Sequence, residues 1–191
     1  AAFASLSVTK TLATRYASRG STAVSRITWT RPARWMTALA PRNAALHARH
    51  ASVLLKLGDE AGAAASLRKA LALDPALFEA HMALLNVLVK QRKFDAALAL
   101  AKAEQQRAPA SGNGFKLEGD VQSARGRHAD ALKAYERAFA LQPNGAMLVQ
   151  LHGALNRAGK APQAALRMEE WLRVHPNDLQ VRLYYASSKA V

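Results

Sequence analysis

The chain contains no cysteine. That excludes a disulfide framework, a thiolate metal site and a cysteine nucleophile. Aromatic residues number only 12 in 191, and strand-forming residues are scarce, which argues against an all-β fold. No apolar run approaches the roughly 18 residues needed to span a bilayer. Residues 1–50 contain no aspartate or glutamate.

Helix formers fill the space left by these absences. Alanine occurs 43 times and leucine 26 times, and half of the residues are hydrophobic. That composition favours helices and suffices for one sizeable core or a short repeat array. The formal net charge is +14. Residues 1–50 hold eight Lys/Arg without an acid, whereas residues 51–191 hold 19 Lys/Arg and 13 Asp/Glu. The front is therefore uniformly basic and the remainder a mixed, soluble surface. No aromatic-basic strand motif or zinc-finger spacing accompanies the charge, so nucleic acid is not an expected partner.

The chain repeats itself. Pro41, Pro75, Pro109 and Pro143 follow one another at intervals of 34 residues, and Pro176 comes 33 later. Ala70-Leu71-Ala72-Leu73-Asp74-Pro75 is echoed by Ala138-Phe139-Ala140-Leu141-Gln142-Pro143. Four units follow: 44–77, 78–111, 112–145 and 146–178, the last one residue short. Counted from those starts, unit position 8 carries Ala51, Leu85, Gly119 and Gly153. Position 20 carries Ala63, Ala97 and Ala131, and Ala164 once the missing residue of the last unit is allowed for. The one-residue loss is expected between Gly153 and Gly159.

Each unit reads as two helices of about 12–15 residues packed antiparallel, with small residues permitting close approach. Gly58 suits a left-handed end to the first helix, and Asp59 suits the cap of the second. Gly126 and Gly159 recur at that place. Proline ends the second helix by withholding a donor and restricting the residue before it. In 61–73 the apolar residues 63, 64, 67, 70 and 71 keep helical spacing.

The ends depart from this pattern. Residues 179–191 read as the first helix of a further, truncated unit, with limited cover for Tyr184 and Tyr185. The chain reads as part of a longer array. In 1–43 a repeat starting near Lys10 would place Pro32 inside its second helix, which costs about 3 kcal/mol. This segment reads as a degenerate repeat or irregular basic stretch, because Leu39-Ala40-Pro41 keeps the period. A targeting segment and a frame artefact are the alternatives.

Catalysis finds little footing. His47 and His81 fall at unit position 4 and His50 at position 7, where packing residues belong, and no carboxylate completes a ligand set there. Asp59-Glu60 and Glu169-Glu170 are sequence neighbours, which diverge on a helix and make poor acid–base couples. Gly112-Asn113-Gly114 has neither the Lys-Ser/Thr nor the preceding strand of a phosphate loop. No serine sits in a nucleophile-elbow setting. We expect no enzyme, no cofactor and no metal site.

The 34-residue units, with small residues at 8 and 20 and the terminal proline, resemble the tetratricopeptide repeat family. The resemblance implies an all-α right-handed superhelical α-solenoid that binds proteins or peptides in a concave groove. First helices line that groove through positions 2, 5, 9 and 12. The candidate groove residues are Met82, Asn86, Lys116, Asp120 and Gln150. One subfamily grips the carboxylate end of chaperone tails with Lys and Asn at positions 5 and 9 of a first unit; Ala48 and Ser52 stand at those places here.

A narrower likeness spans roughly 112–188. Leu117-Glu118-Gly119-Asp120, Ala134-Tyr135-Glu136-Arg137-Ala138, Leu151-His152-Gly153-Ala154-Leu155 and Trp171-Leu172-Arg173-Val174-His175-Pro176-Asn177-Asp178 carry it, with Val181-Arg182-Leu183-Tyr184-Tyr185-Ala186. These phrases resemble the C-terminal repeats of the PEP-CTERM system repeat-protein family, PrsT. That resemblance implies a bacterial cell envelope location and a role with exosortase and exopolysaccharide export. A general peptide-binding adaptor for pilus assembly or chaperone recruitment is the alternative, as is a repeat region attached to a glycosyltransferase. A cytoplasmic location also stays open. Membrane association is expected only through a part of the chain not present here.

Overall fold

The computed structural model describes residues 41–189; the degenerate or targeting segment expected in 1–43 lies almost wholly outside them. Every regular element among the described residues is an α-helix. In chain order these are α1 (Ala44–Lys56), α2 (Glu60–Leu73), α3 (Phe78–Lys90), α4 (Phe94–Arg107) and α5 (Asn113–Ala124). They continue with α6 (His128–Leu141), α7 (Gly145–Arg157), α8 (Ala161–Val174) and α9 (Leu179–Lys189). The described residues divide into two compact units, one ending at Ala80 and the other beginning at His81. Within each, neighbouring helices pack as antiparallel hairpins of the tetratricopeptide type.

In the first unit, α1 and α2 meet through the small residues at positions 8 and 20. Ala51 and Ala63 are fully buried, with Leu54, Leu67 and Ala70 closing the core beside them. Gly58 takes φ +78°, a conformation that a Cβ disfavours, and so ends α1. The Asp59 carboxylate then accepts from the Gly62 amide at 2.8 Å and caps α2. The expected turn chemistry is therefore present here in full.

In the second unit the same three-residue turns recur with altered chemistry. Gly126 and Gly159 keep positive φ, but Arg92 holds φ 56° without being glycine. Lys93, Arg127 and Lys160 occupy the N-cap positions of α4, α6 and α8, and none makes a side-chain cap bond. Glu104 of α4 stands where the neighbouring repeats carry Ala70 and Ala138, and it is 1% exposed. Arg107 donates to it from Nε at 2.8 Å and from Nη2 at 2.6 Å, and His81 Nε2 lies 3.4 Å away. A forked guanidinium satisfies the buried carboxylate.

The position-8 rule is clearest at Gly119. A Cβ there would come within 2.7 Å of the Tyr135 ring, so glycine lets the ring lie directly on α5. Tyr135 also anchors a core of Ala131, Leu132, Leu151, Ala154, Leu155 and Ala164. A second core, Leu148, Met168, Val181 and Tyr185, seats α9. The limited cover expected for the tyrosine pair is corrected by this packing. Tyr185 is 7% exposed and donates to Glu169 at 2.8 Å, while Tyr184 stands edge-on to His152.

The structure moves the missing residue of the last full repeat. Three residues, 142–144, join α6 to α7, whereas four or five join the other hairpins, and α7 keeps 13 residues. Asn144 caps it through a 2.9 Å bond from the Met147 amide. The loss therefore falls in the linker before α7, not between Gly153 and Gly159. Counted back from Gly159, position 8 becomes His152, which is 5% exposed. Gly153 shifts to position 9, where an added Cβ meets nothing nearer than 3.7 Å. A capped linker absorbs the deletion more cheaply than a helix interior, where it would rotate every later side chain off the core.

Candidate functional site

All five candidate groove residues lie on first helices of the second unit. Met82 and Lys116 occupy the same place one repeat apart, and the helices bring them together: Lys116 Nζ lies 3.6 Å from Met82 Sδ. One turn along α5, Asp120 accepts from Lys116 Nζ at 2.8 Å. The two side chains are 17% and 20% exposed, so the pair reaches solvent without being free in it.

Asp120 is held from behind as well. The Tyr135 hydroxyl of α6 donates to its other oxygen, Oδ1, at 2.6 Å. Burial pushes the Tyr135 pKa far up, and the Asp120 charge and hydrogen bond add to the rise; the Arg157 charge opposes it. The phenol therefore stays protonated and donating. Lys116, Asp120 and Tyr135 form one chain of charge-assisted bonds across α5 and α6.

The remaining candidates join this cluster less well. Asn86 is exposed on α3. Gln150 is half-buried, and the shifted register places it at position 6. Val149 is the true counterpart of Met82 and Lys116. Sequence reasoning also passed over Tyr135, which at position 24 reads as a packing residue. The spacing of 15 between a first-helix aspartate and a second-helix tyrosine was the available signal.

A second polar group lies beside α9. Tyr184 Oη and Asn156 Nδ2 approach His152 Nδ1 at 3.1 and 3.4 Å. Burial lowers the His152 pKa. The histidines of the first hairpin are packing residues with local bonds: His47 Nε2 lies 3.0 Å from the Pro41 carbonyl and His50 Nδ1 3.0 Å from Ser66 Oγ. Among the described residues, no three His, Asp or Glu side chains are grouped to hold a metal ion.

The hairpins, their small-residue contacts and their period have a counterpart among known families. Residues 44–77 match the family model described as tetratricopeptide repeat. That match covers one repeat, the hairpin of α1 and α2. No curated protein matches the chain. Solved structures of the same repeat fold include MamA 41-end from Desulfovibrio magneticus RS-1, at 20% identity and TM-score 0.58, covering 90% of this chain and 96% of that one. TTC0263, a thermophilic tetratricopeptide protein of Thermus thermophilus, is 20% identical with TM-score 0.66 over 85% of this chain and 89% of its own. PilW, a type IV pilus biogenesis factor, is 20% identical with TM-score 0.59, covering 79% of this chain and 71% of that chain. At these identities the likeness is one of fold.

Proposed function

We propose that this protein is a non-catalytic scaffold whose first helices present a binding groove to a protein or peptide. The observation that carries this reading is the Met82–Lys116–Asp120–Tyr135 cluster. It sets an apolar thioether beside a fixed, internally neutralised polar pair on neighbouring first helices. Such a surface offers directional donors and acceptors at small ordering entropy, because the tyrosine already restrains the aspartate. An extended peptide, with apolar side chains alternating beside backbone amides, suits it.

The context we propose is the bacterial envelope, in exopolysaccharide export and exosortase-linked sorting. The phrases spread over 112–188 support it. An adaptor in pilus assembly is the second reading, favoured by the fold shared with PilW.

The test is capture of partners from envelope extract by the tagged chain. Combining Asn86→Ala with Lys116→Ala is expected to abolish specific capture, whereas Lys133→Ala, an exposed change on α6, leaves it intact. Equal capture by all three chains removes the groove assignment.

A further inference from the structure

The positive charge of residues 81–191 is not spread evenly. That stretch has 16 Lys/Arg and nine Asp/Glu. Seven of the cations stand at the three turns that join first to second helices, with only Asp95 and Asp130 in the first turns of the helices that follow. Outside this edge the two signs nearly cancel.

The three turns share one edge. Arg125 of the second turn reaches Asp95 beside the first at 3.5 Å, and its guanidinium lies 5.6 Å over the Phe94 ring. Ala158 of the third turn packs on the core that holds Ala131 and Leu132, just after the second. Lys90 and Arg157 end first helices, where a cation complements the helix dipole. Arg92, Lys93, Arg127 and Lys160 have no such reason. Arg92 occupies a left-handed residue that glycine fills in the other turns. The other three begin helices, where a cation opposes the dipole and gives no cap. All four are exposed.

This arrangement sacrifices local stability to keep cations outermost, and its chemistry narrows the partner. The large exposed hydrophobic residues of this unit, Leu166, Val174, Leu179 and Leu183, lie elsewhere, so the edge lacks the apolar centre of a protein interface. Phe94 is covered by Arg125 and is not offered for base stacking. A surface studded with phosphates offers partners to the cations of all three neighbouring turns. No described helix is long and apolar enough to cross a membrane, so contact of this kind is peripheral.

We propose that the turn edge carrying Arg92, Lys93, Arg127 and Lys160 docks on an anionic phospholipid surface through charge alone. The experiment is co-sedimentation of the full chain with phosphatidylcholine vesicles, with and without phosphatidylglycerol, over a salt series. A 20-base-pair duplex at about the same ionic strengths is the competing arm. One variant combines Arg92→Glu, Lys93→Glu, Arg127→Glu and Lys160→Glu. A control of equal charge change combines Lys102→Glu, Lys133→Glu, Arg167→Glu and Arg173→Glu, all exposed on second helices. The edge variant should fold, since glutamate at a helix start suits the dipole, and thermal unfolding checks it.

The expected result is salt-sensitive binding that requires phosphatidylglycerol, falls at least about ten-fold in the edge variant and is largely kept by the control. The basic residues of 1–50 are unchanged in both variants, so equal binding by both, or equal loss from both, overturns the proposal. Binding to the duplex without binding to vesicles overturns it in favour of nucleic acid. Absence of binding to either also overturns it.

Discussion

The hairpin α1/α2 and the hairpin α5/α6 use the same device to opposite ends. Each closes through small residues at positions 8 and 20: Ala51 with Ala63, and Gly119 with Ala131. In the first, an alanine pair suffices, an aspartate caps the second helix, and Ala48 and Ser52 leave positions 5 and 9 without chemistry. In the second, the smaller glycine admits a tyrosine ring, and that tyrosine holds the Asp120–Lys116 pair through its hydroxyl. The repeat most faithful to its family pattern is the plainest in chemistry. The polar cluster stands in the hairpin that packs a tyrosine against glycine.

The largest expected effect that tests this contrast is at Gly119. Gly119→Ala drives a methyl into the Tyr135 ring and should lower unfolding stability by about 2 kcal/mol in urea titration, despite alanine's better helix propensity. An unchanged midpoint would show that the two hairpins close alike.

Next comes the polar chain itself. Tyr135→Phe removes the donor to Asp120 and is expected to cost about 1 kcal/mol. It should also loosen Lys116, which is visible as faster lysine side-chain motion by NMR. A stability loss without that motion would make Tyr135 a packing residue only.

A smaller effect of opposite sign checks the register. Gly153→Ala adds a helical methyl at ordinary van der Waals distance from the Arg157 side chain, and it should raise stability by about 0.5 kcal/mol. Were Gly153 the close-packed position 8, the same change would destabilise.

The least effect is in acid. Burial lowers the pKa of His152 and, with the nearby His47 charge, of His50. Below about pH 6.5 the unfolded chain takes up these protons before the folded one, so stability holds above that pH and declines beneath it. His152→Gln and His50→Gln should each flatten the decline in thermal melts at stepped pH. The relative flattening shows which compact unit is the more acid-sensitive.

The hairpins were legible because proline, glycine and small residues act locally. Pro75 and Pro143 stop helices, Gly58 turns left-handed and Asp59 caps, whatever surrounds them. The candidate site was legible only in part. Position numbers led to Met82, Lys116 and Asp120, but gave Gln150 where Val149 belongs, because a deletion in a linker and one in a helix look alike when only proline spacing is read. Tyr135 escaped notice because its hydroxyl gains meaning only from a carboxylate 15 residues away.

The sequence by itself determined an all-helical chain of repeated hairpins, since helix propensity, turn chemistry and a 34-residue period depend on residues near one another. The tertiary structure alone decided which small residues are pressed upon, where the missing residue is absorbed, and which side chains share bonds across helices. These outcomes depend on packing between distant segments, and a single ångström of approach separates a glycine that must stay from one that is free to change.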